Sequence, residues 1–121
     1  MKANELMIGD WVLDTRTGTP LRVNPFMAEL EVPEWQPIPL TVDMLEKNGF
    51  VKGDTMDLGD EIYCVELFNI HYDNEERRFW VCNFFESEYG TWEMMDIFRI
   101  DYIHELQHAL RLCKVDKEIV L

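Results

Sequence analysis

The sequence has few cysteines, few basic residues and no long apolar run, and each shortage excludes a class of protein. Its three cysteines among 121 residues, Cys64, Cys82 and Cys113, form no C-x-x-C pair, which argues against a zinc knuckle or a disulfide framework. We expect buried free thiols in a reducing cytoplasm. No stretch approaches the roughly 18 consecutive apolar residues of a membrane span, and residues 1–5 lead into no signal-peptide core.

The shortage of basic residues makes the chain strongly acidic. Twenty-four Asp and Glu stand against eleven Lys and Arg, which gives a formal charge of −13. Residues 54–105 hold most of this charge, with fourteen acidic and three basic residues. Such a chain lacks the basic patch that neutralises phosphates, so we expect no direct binding to nucleic acid. The acidity serves solubility, attracts a basic protein partner, or imitates the charge of a nucleic acid.

Hydrophobic residues make up 47% of the chain and aromatic residues 12%, enough for one globular domain over residues 1–121. The pattern predicts an α+β fold, with a C-terminal helix packed on an antiparallel sheet and a small SH3-like β element at the N-terminus. Thr41 and Asp101 are the predicted helix caps. The predicted elements are a β-hairpin at 6–23, a packed proline-rich connector at 24–40, a helix at 41–48, strands at 62–72, 78–86 and 92–100, and a helix at 102–113.

Three segments of the chain form a distinctive set. They are Lys-Ala-Asn-Glu-Leu with Ile-Gly-Asp-Trp-Val within residues 2–12, Gln-Pro-Ile-Pro-Leu-Thr from residue 36 with Leu-Glu-Lys-Asn-Gly-Phe to residue 50, and Tyr-Ile-His-Glu-Leu-Gln at residues 102–107. This set resembles a family of small uncharacterised proteins of gut anaerobic bacteria and of their phages and mobile elements. The resemblance implies a compact stand-alone cytoplasmic domain of mobile-element origin. It implies no activity, ligand or catalytic residue, and the family usually has Gln at the position of Glu105 and Asn at that of His108.

The final predicted helix contains an H-E-x-x-H motif, formed by His104, Glu105 and His108. In zinc peptidases this spacing directs two imidazoles at one metal ion while the Glu polarises water, so a zinc-dependent hydrolase is the enzymatic alternative. A third ligand is missing downstream, because only thirteen residues follow His108 and none of them is His. The apolar stripe of the helix lies opposite the two His, so we expect them to face solvent or a thin covering layer rather than a cleft walled by the sheet, and to bind metal only adventitiously. We therefore predict no catalytic residue and no cofactor.

Other candidate sites are weaker. His71 stands beside a predicted hairpin end, where a lone His is typically a surface residue. The acidic residues Asp54, Asp57, Asp60 and Glu61 do not have the spacing of an EF-hand loop.

These exclusions leave the role of a non-enzymatic protein-interaction domain whose partner is a protein, and a basic protein would complement its charge. A more specific form is a charge-mimic inhibitor of a nucleic-acid enzyme, and the structural alternative is a homo-oligomer that buries strand 78–86, which is apolar on both faces. Exposed aromatics and carboxylates would make the contact. The predicted partner-binding residues are Trp35, Asp54, Asp57, Asp60, Glu75, Glu76 and Trp92.

Overall fold

A computed structural model describes residues 7, 9–23, 35–53, 60–66 and 68–121 of the chain. Within these residues the fold comprises two helices and two antiparallel sheets, which confirms the predicted α+β class. The three-stranded sheet has the order β2-β1-β3 and the five-stranded sheet the order β4-β5-β6-β7-β8. The elements are β1 Trp11–Asp14, β2 Thr19–Arg22, β3 Trp35–Gln36, α1 Val42–Lys47, β4 Val51–Lys52, β5 Glu61–Val65, β6 Phe68–Asp73, β7 Arg78–Glu86, β8 Trp92–Ile100 and α2 Ile103–Leu112.

The small sheet is built on the predicted N-terminal hairpin. Strands β1 and β2 pair in antiparallel register around a turn in which Gly18 adopts a φ of +70°, a conformation that favours glycine. Strand β3 pairs with the other side of β1. Trp35 then packs with Val12 and Val23 in a small core of its own. The rest of the predicted connector, residues 24–34, lies outside the described residues.

The predicted strand at 62–72 is wrong in one respect, because it is a hairpin of two strands. Strands β5 and β6 pair up to Val65 and Phe68, and Glu66 follows β5 in a turn. Glu66 adopts a φ of +52° in this turn. Two-residue hairpin turns favour Asn or Gly at such positions, so the sequence carried no turn signal there.

The main core lies between one face of the large sheet and the helices. Strand residues alternate between the two faces of a sheet, so every second side chain of β5, β6 and β7 points towards α2. The buried cluster includes Tyr63, Ile70, Val81, Ile100, Ile103, Leu106 and Leu110. Helix α2 contributes its apolar stripe to this cluster, and the predicted packing of the C-terminal helix on the sheet is confirmed.

The helix caps agree with the prediction at one helix and differ at the other. Thr41 caps α1, because its Oγ1 accepts a hydrogen bond from the Met44 N–H at 3.3 Å. Asp101 does not cap α2. Glu105 does so from within the first turn, since its Oε1 accepts hydrogen bonds from the N–H groups of Asp101 and Tyr102 at 2.9 and 3.0 Å.

Candidate functional site

Strands β7 and β8 continue beyond the rest of the large sheet. The pairing of β6 with β7 ends at Asn69 and Cys82, whereas β7 and β8 remain paired from Asn83 and Met95 to Glu86 and Trp92. Residues 83–95 therefore form a two-stranded projection with its turn. We call this projection, together with residues 96–98 at its base, the β-ribbon. Within the described part of the chain, the outer half of this projection has no third strand beside it.

The tip of the β-ribbon is a well-bonded turn. The Ser87 N–H donates to the Thr91 carbonyl at 2.7 Å, and the Gly90 N–H donates to the Ser87 carbonyl at 3.0 Å. The hydroxyl groups of Ser87 and Thr91 lie 2.7 Å apart. Gly90 has a φ of +78°, which glycine adopts without steric cost. These bonds hold the two strands in register at the free end of the projection.

Large apolar side chains are concentrated on the β-ribbon. Seven of the eleven exposed large hydrophobic residues in the described parts of the chain belong to it. Tyr89 is 90% exposed and Trp92 is 72% exposed. The full set is Phe84, Phe85, Tyr89, Trp92, Met95, Ile97 and Phe98. These side chains lie on both faces of the β-ribbon, and monomeric proteins rarely expose so much apolar area in one element unless it contacts another molecule.

The charge of the β-ribbon has a single sign. It contains Glu86, Glu88, Glu93 and Asp96 and no Lys, Arg or His. Among the residues with described positions, none forms an ion pair with Glu86, Glu88 or Glu93. Asp96, in contrast, contacts His71. The surface therefore combines apolar side chains with three carboxylates that have no ion-pair partner in the described parts of the chain.

A β-bulge separates the projecting part of β8 from the part inside the sheet. Val81 pairs with Phe98 and Cys82 pairs with Asp96, so Ile97 is an extra residue on β8. A bulge bends its strand and interrupts the regular ladder. Regular pairing along the outer stretch therefore covers Trp92 to Asp96.

The residues predicted to bind a partner do not form one surface. Trp92 lies on the β-ribbon. Glu75 and Glu76 are exposed in the turn at the opposite end of β7, and the nine residues of β7 span about 26 Å. Asp60 lies beside that turn, because its Oδ1 accepts a hydrogen bond from the Asn74 N–H at 3.0 Å.

Trp35 is a correction, and two further predicted residues have no described position. Trp35 is only 4% exposed and belongs to the small N-terminal core, so its side chain presents no contact surface. We predicted Trp35 as an exposed aromatic on a packed connector, but pairing of β3 with β1 turns the indole inward. Asp54 and Asp57 lie outside the described residues.

His71 is a second correction, because it is 7% exposed rather than a surface residue. Its Nε2 lies 2.8 Å from Asp60 Oδ2, and its Nδ1 lies 3.0 Å from Asp96 Oδ1. Burial alone lowers the pKa of His71, but the hydrogen bonds to Asp60 and Asp96 outweigh it and the net pKa is raised. The hydrogen bond to His71 lowers the pKa of Asp60. The three side chains form an ion bridge across the sheet.

The H-E-x-x-H motif has structural contacts at each of its three residues. His104 is buried and its ring stacks on Tyr102 with centroids 5.9 Å apart, while His108 Nε2 lies 2.5 Å from Asp10 Oδ2. Of the two expected surroundings, solvent or a thin covering layer, the structure shows the second, since the N-terminal segment covers this side of α2. Glu105 is the cap described above. Among the residues that the structure describes, no three His, Cys, Asp or Glu side chains gather to hold a metal ion.

Asp10 is the centre of a junction between the N-terminal segment and α2. Its side chain is fully buried and accepts hydrogen bonds from the Met7 N–H at 2.7 Å and from Arg111 Nη1 at 3.1 Å, besides its contact with His108. Gln107 reinforces the junction by donating to the Gly9 carbonyl at 2.9 Å. These contacts join residues 7–12 to residues 102–107, two of the three segments on which the resemblance rests.

The cysteines differ in their surroundings. Cys82 is buried on the sheet, and burial together with the nearby Asp96 carboxylate raises the pKa of its thiol to about 12. Cys113 is exposed, so the expectation of uniformly buried thiols is wrong for this residue. It lies directly after the last residue of α2, at the C-terminal cap.

Comparisons with models of protein families, with curated proteins and with solved structures find no match to this chain. No helix among the described residues is both long enough and apolar enough to cross a membrane.

Proposed function

We propose that this protein is a non-enzymatic protein-interaction domain and that the β-ribbon is its contact surface. The observation that carries the proposal is the concentration of seven exposed large apolar side chains on one projecting hairpin. The mobile-element origin that the family resemblance implies agrees with this role, because small proteins of such elements act on proteins of their host.

The apolar area of the β-ribbon is large enough for a specific interface. Fully buried aromatic side chains remove roughly 150–250 Å² each from water. With exposures of 37–90%, the seven side chains offer on the order of 600–800 Å². A standard interface buries about 800 Å² on each partner. Exposure of this area in the free protein does not stabilise the fold, because a two-stranded hairpin gains little stability from its own contacts.

A pull-down with matched variants tests the proposal. The wild-type chain, the double variant Trp92→Ser with Met95→Ser, and Leu112→Ser are coupled to resin and exposed to nuclease-treated host lysate. Leu112 is exposed but lies on α2, so it controls for the loss of any exposed apolar side chain. We expect a protein that binds the wild type and the Leu112→Ser control but not the double variant. Equal retention by all three chains, or no retention by the wild type, would contradict the proposal.

The exposed acidic turn favours a second candidate, the charge-mimic inhibitor. Glu75 and Glu76 are exposed beside Asp60 at the end of β7 far from the β-ribbon. If this surface contacts a basic groove, Glu75→Lys with Glu76→Lys should abolish capture while the double variant at Trp92 and Met95 retains it. Steep weakening of that capture by salt is also expected. The opposite pattern would assign the contact to the β-ribbon.

A further inference from the structure

We infer that the partner of the β-ribbon contributes an extended strand that pairs antiparallel with the outer edge of β8, and that this strand carries basic and apolar side chains. The inference rests on the proposed function and adds the mode of binding and the chemistry of the partner. It follows from three properties of β8: its position, the order of its side chains and its charge.

The position of β8 leaves one side of its backbone open. It is the last strand of the five-stranded sheet, and within the described ranges no element pairs with its outer edge. Proteins usually protect a long exposed edge with charge, proline or a covering loop, because its free N–H and C=O groups accept another strand. Strand β8 contains no proline, and its regularly paired outer stretch from Trp92 to Asp96, which the bulge at Ile97 separates from the rest, is apolar at three of its five positions. Such an edge is suited to strand addition, in which main-chain hydrogen bonds provide affinity.

The order of side chains on β8 defines the partner strand. Trp92 and Met94 pair with Glu86 and Phe84 on one face, and Asp96 continues that face beside Cys82. Glu93 and Met95 lie on the other face, since neighbouring residues of a strand point to opposite sides. Each face thus presents apolar side chains and one carboxylate. A partner strand that runs antiparallel to β8 complements it when basic side chains stand opposite Asp96 and Glu93 and apolar side chains stand opposite Met95, Met94 and Trp92. Its order, opposite residues 96 to 92, is therefore basic, apolar, apolar, basic, apolar.

The charge of the β-ribbon favours a different protein as the partner over two other occupants, namely a second copy of this chain and residues 24–34 of the same chain. A second copy would place four carboxylates of one β-ribbon against four of another, between chains that each carry a formal charge of −13. Residues 24–34 carry three glutamates and no basic residue, so they do not complement the surface either. A basic strand removes this repulsion and gives Glu93 a countercharge.

The test uses a synthetic peptide in which threonines flank the core sequence Lys-Val-Val-Lys-Tyr. One control peptide has Glu in place of both Lys. The other has Pro in place of the first Val, which keeps the charge but prevents continuous strand pairing. Binding to the full chain is measured by titration calorimetry, and the contact is mapped by amide chemical shifts. We expect the Lys peptide to bind along β8, at least about tenfold more tightly than either control.

Matched variants of the chain identify the surface. Glu93→Lys should weaken binding of the Lys peptide at least about tenfold, whereas Glu75→Lys, an equal change of charge at the other end of β7, should have little effect. Equal binding of the Pro peptide would overturn strand addition, and equal binding of the Glu peptide would overturn the basic partner. Shifts confined to β4, the opposite edge of the sheet, would overturn the site.

Three further outcomes separate this inference from the proposed function. If sedimentation shows a dimer that Trp92→Ser dissociates, the second copy is the occupant and the inference fails while the β-ribbon remains the contact surface. If no peptide binds but the pull-down partner is lost with the double variant, strand addition fails and the proposed function stands. If the Lys peptide binds along β8 but the double variant captures the lysate partner as well as the wild type does, the proposed function fails.

Discussion

The ion bridge of Asp60, His71 and Asp96 should make the stability of the fold depend on pH in a defined direction. His71 lies on β6, Asp96 on β8 and Asp60 directly before β5, so the bridge crosses the large sheet on the face opposite the main core. The substitution His71→Phe keeps an aromatic ring of similar size and removes both hydrogen bonds.

The expected loss follows from the number and exposure of these bonds. A hydrogen bond to a charged group contributes roughly 1.5–3 kcal/mol when it is well buried. The side chain of Asp96 is 35% exposed and that of Asp60 19%, so water weakens both contacts. We therefore expect His71→Phe to lower the free energy of unfolding by about 2–4 kcal/mol near pH 6.

The sign of the pH dependence follows from the two pKa shifts. Because the pKa of His71 is raised above 6.5, its contribution is fully present below pH 6.5 and is lost as the pH rises through the folded pKa. Because the pKa of Asp60 is lowered below 3.8, its contribution is present above pH 3.8 and is lost as the pH falls through the folded pKa. The ion bridge therefore contributes most to the free energy of unfolding between pH 3.8 and pH 6.5.

Urea denaturation followed by tryptophan fluorescence at several pH values between 4 and 9 measures the effect. The difference between wild type and His71→Phe should be largest near pH 5–6 and should shrink towards pH 9. Glu75→Gln, which removes an exposed carboxylate in the next turn, serves as the control and should show no such trend. Parallel curves for wild type and His71→Phe over the whole range would refute the ion bridge.

Three further predictions concern the junction and the thiols. Asp10→Ala removes a fully buried acceptor of three hydrogen bonds and should cost about 3–5 kcal/mol in urea denaturation; a loss below about 1 kcal/mol would contradict its central role. Gly9→Ala should cost about 1–2 kcal/mol because Gly9 has a φ of +91°, whereas Gly53→Ala, at a position without positive φ, should cost less. A thiol reagent at pH 8 should modify Cys113 rapidly and Cys82 only after unfolding, and early labelling of Cys82 would contradict its burial and raised pKa.

Local patterns predicted most of the secondary structure, and the exceptions have local causes. The apolar runs of β7 and β8 and the stripe of α2 have one clear period each, and these elements begin and end close to the predicted positions. The division of β5 from β6 was missed because Glu66 replaces the usual turn residues. The cap of α2 was assigned to Asp101 because the rule for caps considers the residue before the helix, whereas Glu105 bonds backward from its third position.

The site was less predictable because its parts meet only in three dimensions. His71, Asp60 and Asp96 are separated by at least eleven positions along the chain, and no motif links them. The exposure of the β-ribbon depends on where β6 stops, and sequence periodicity does not give the relative lengths of neighbouring strands. The two apolar faces of the predicted strand at 78–86 indicated only that other parts of the protein or a partner must cover both of them.

The residues that hold the fold and the residues that form the contact surface are separate. The segments on which the family resemblance rests meet each other: the Trp11 N–H donates to Gln107 Oε1, and the Ile103 N–H donates to the Ile38 carbonyl. Asn48 fixes the C-terminal residues through two hydrogen bonds to the backbone of Val120. The β-ribbon lies between the second and third of these segments in the chain, and Asp96, which takes part in the ion bridge, is its link to the fold. Substitutions of its exposed apolar side chains, such as Trp92 and Met95, should therefore change binding while leaving the free energy of unfolding nearly unchanged.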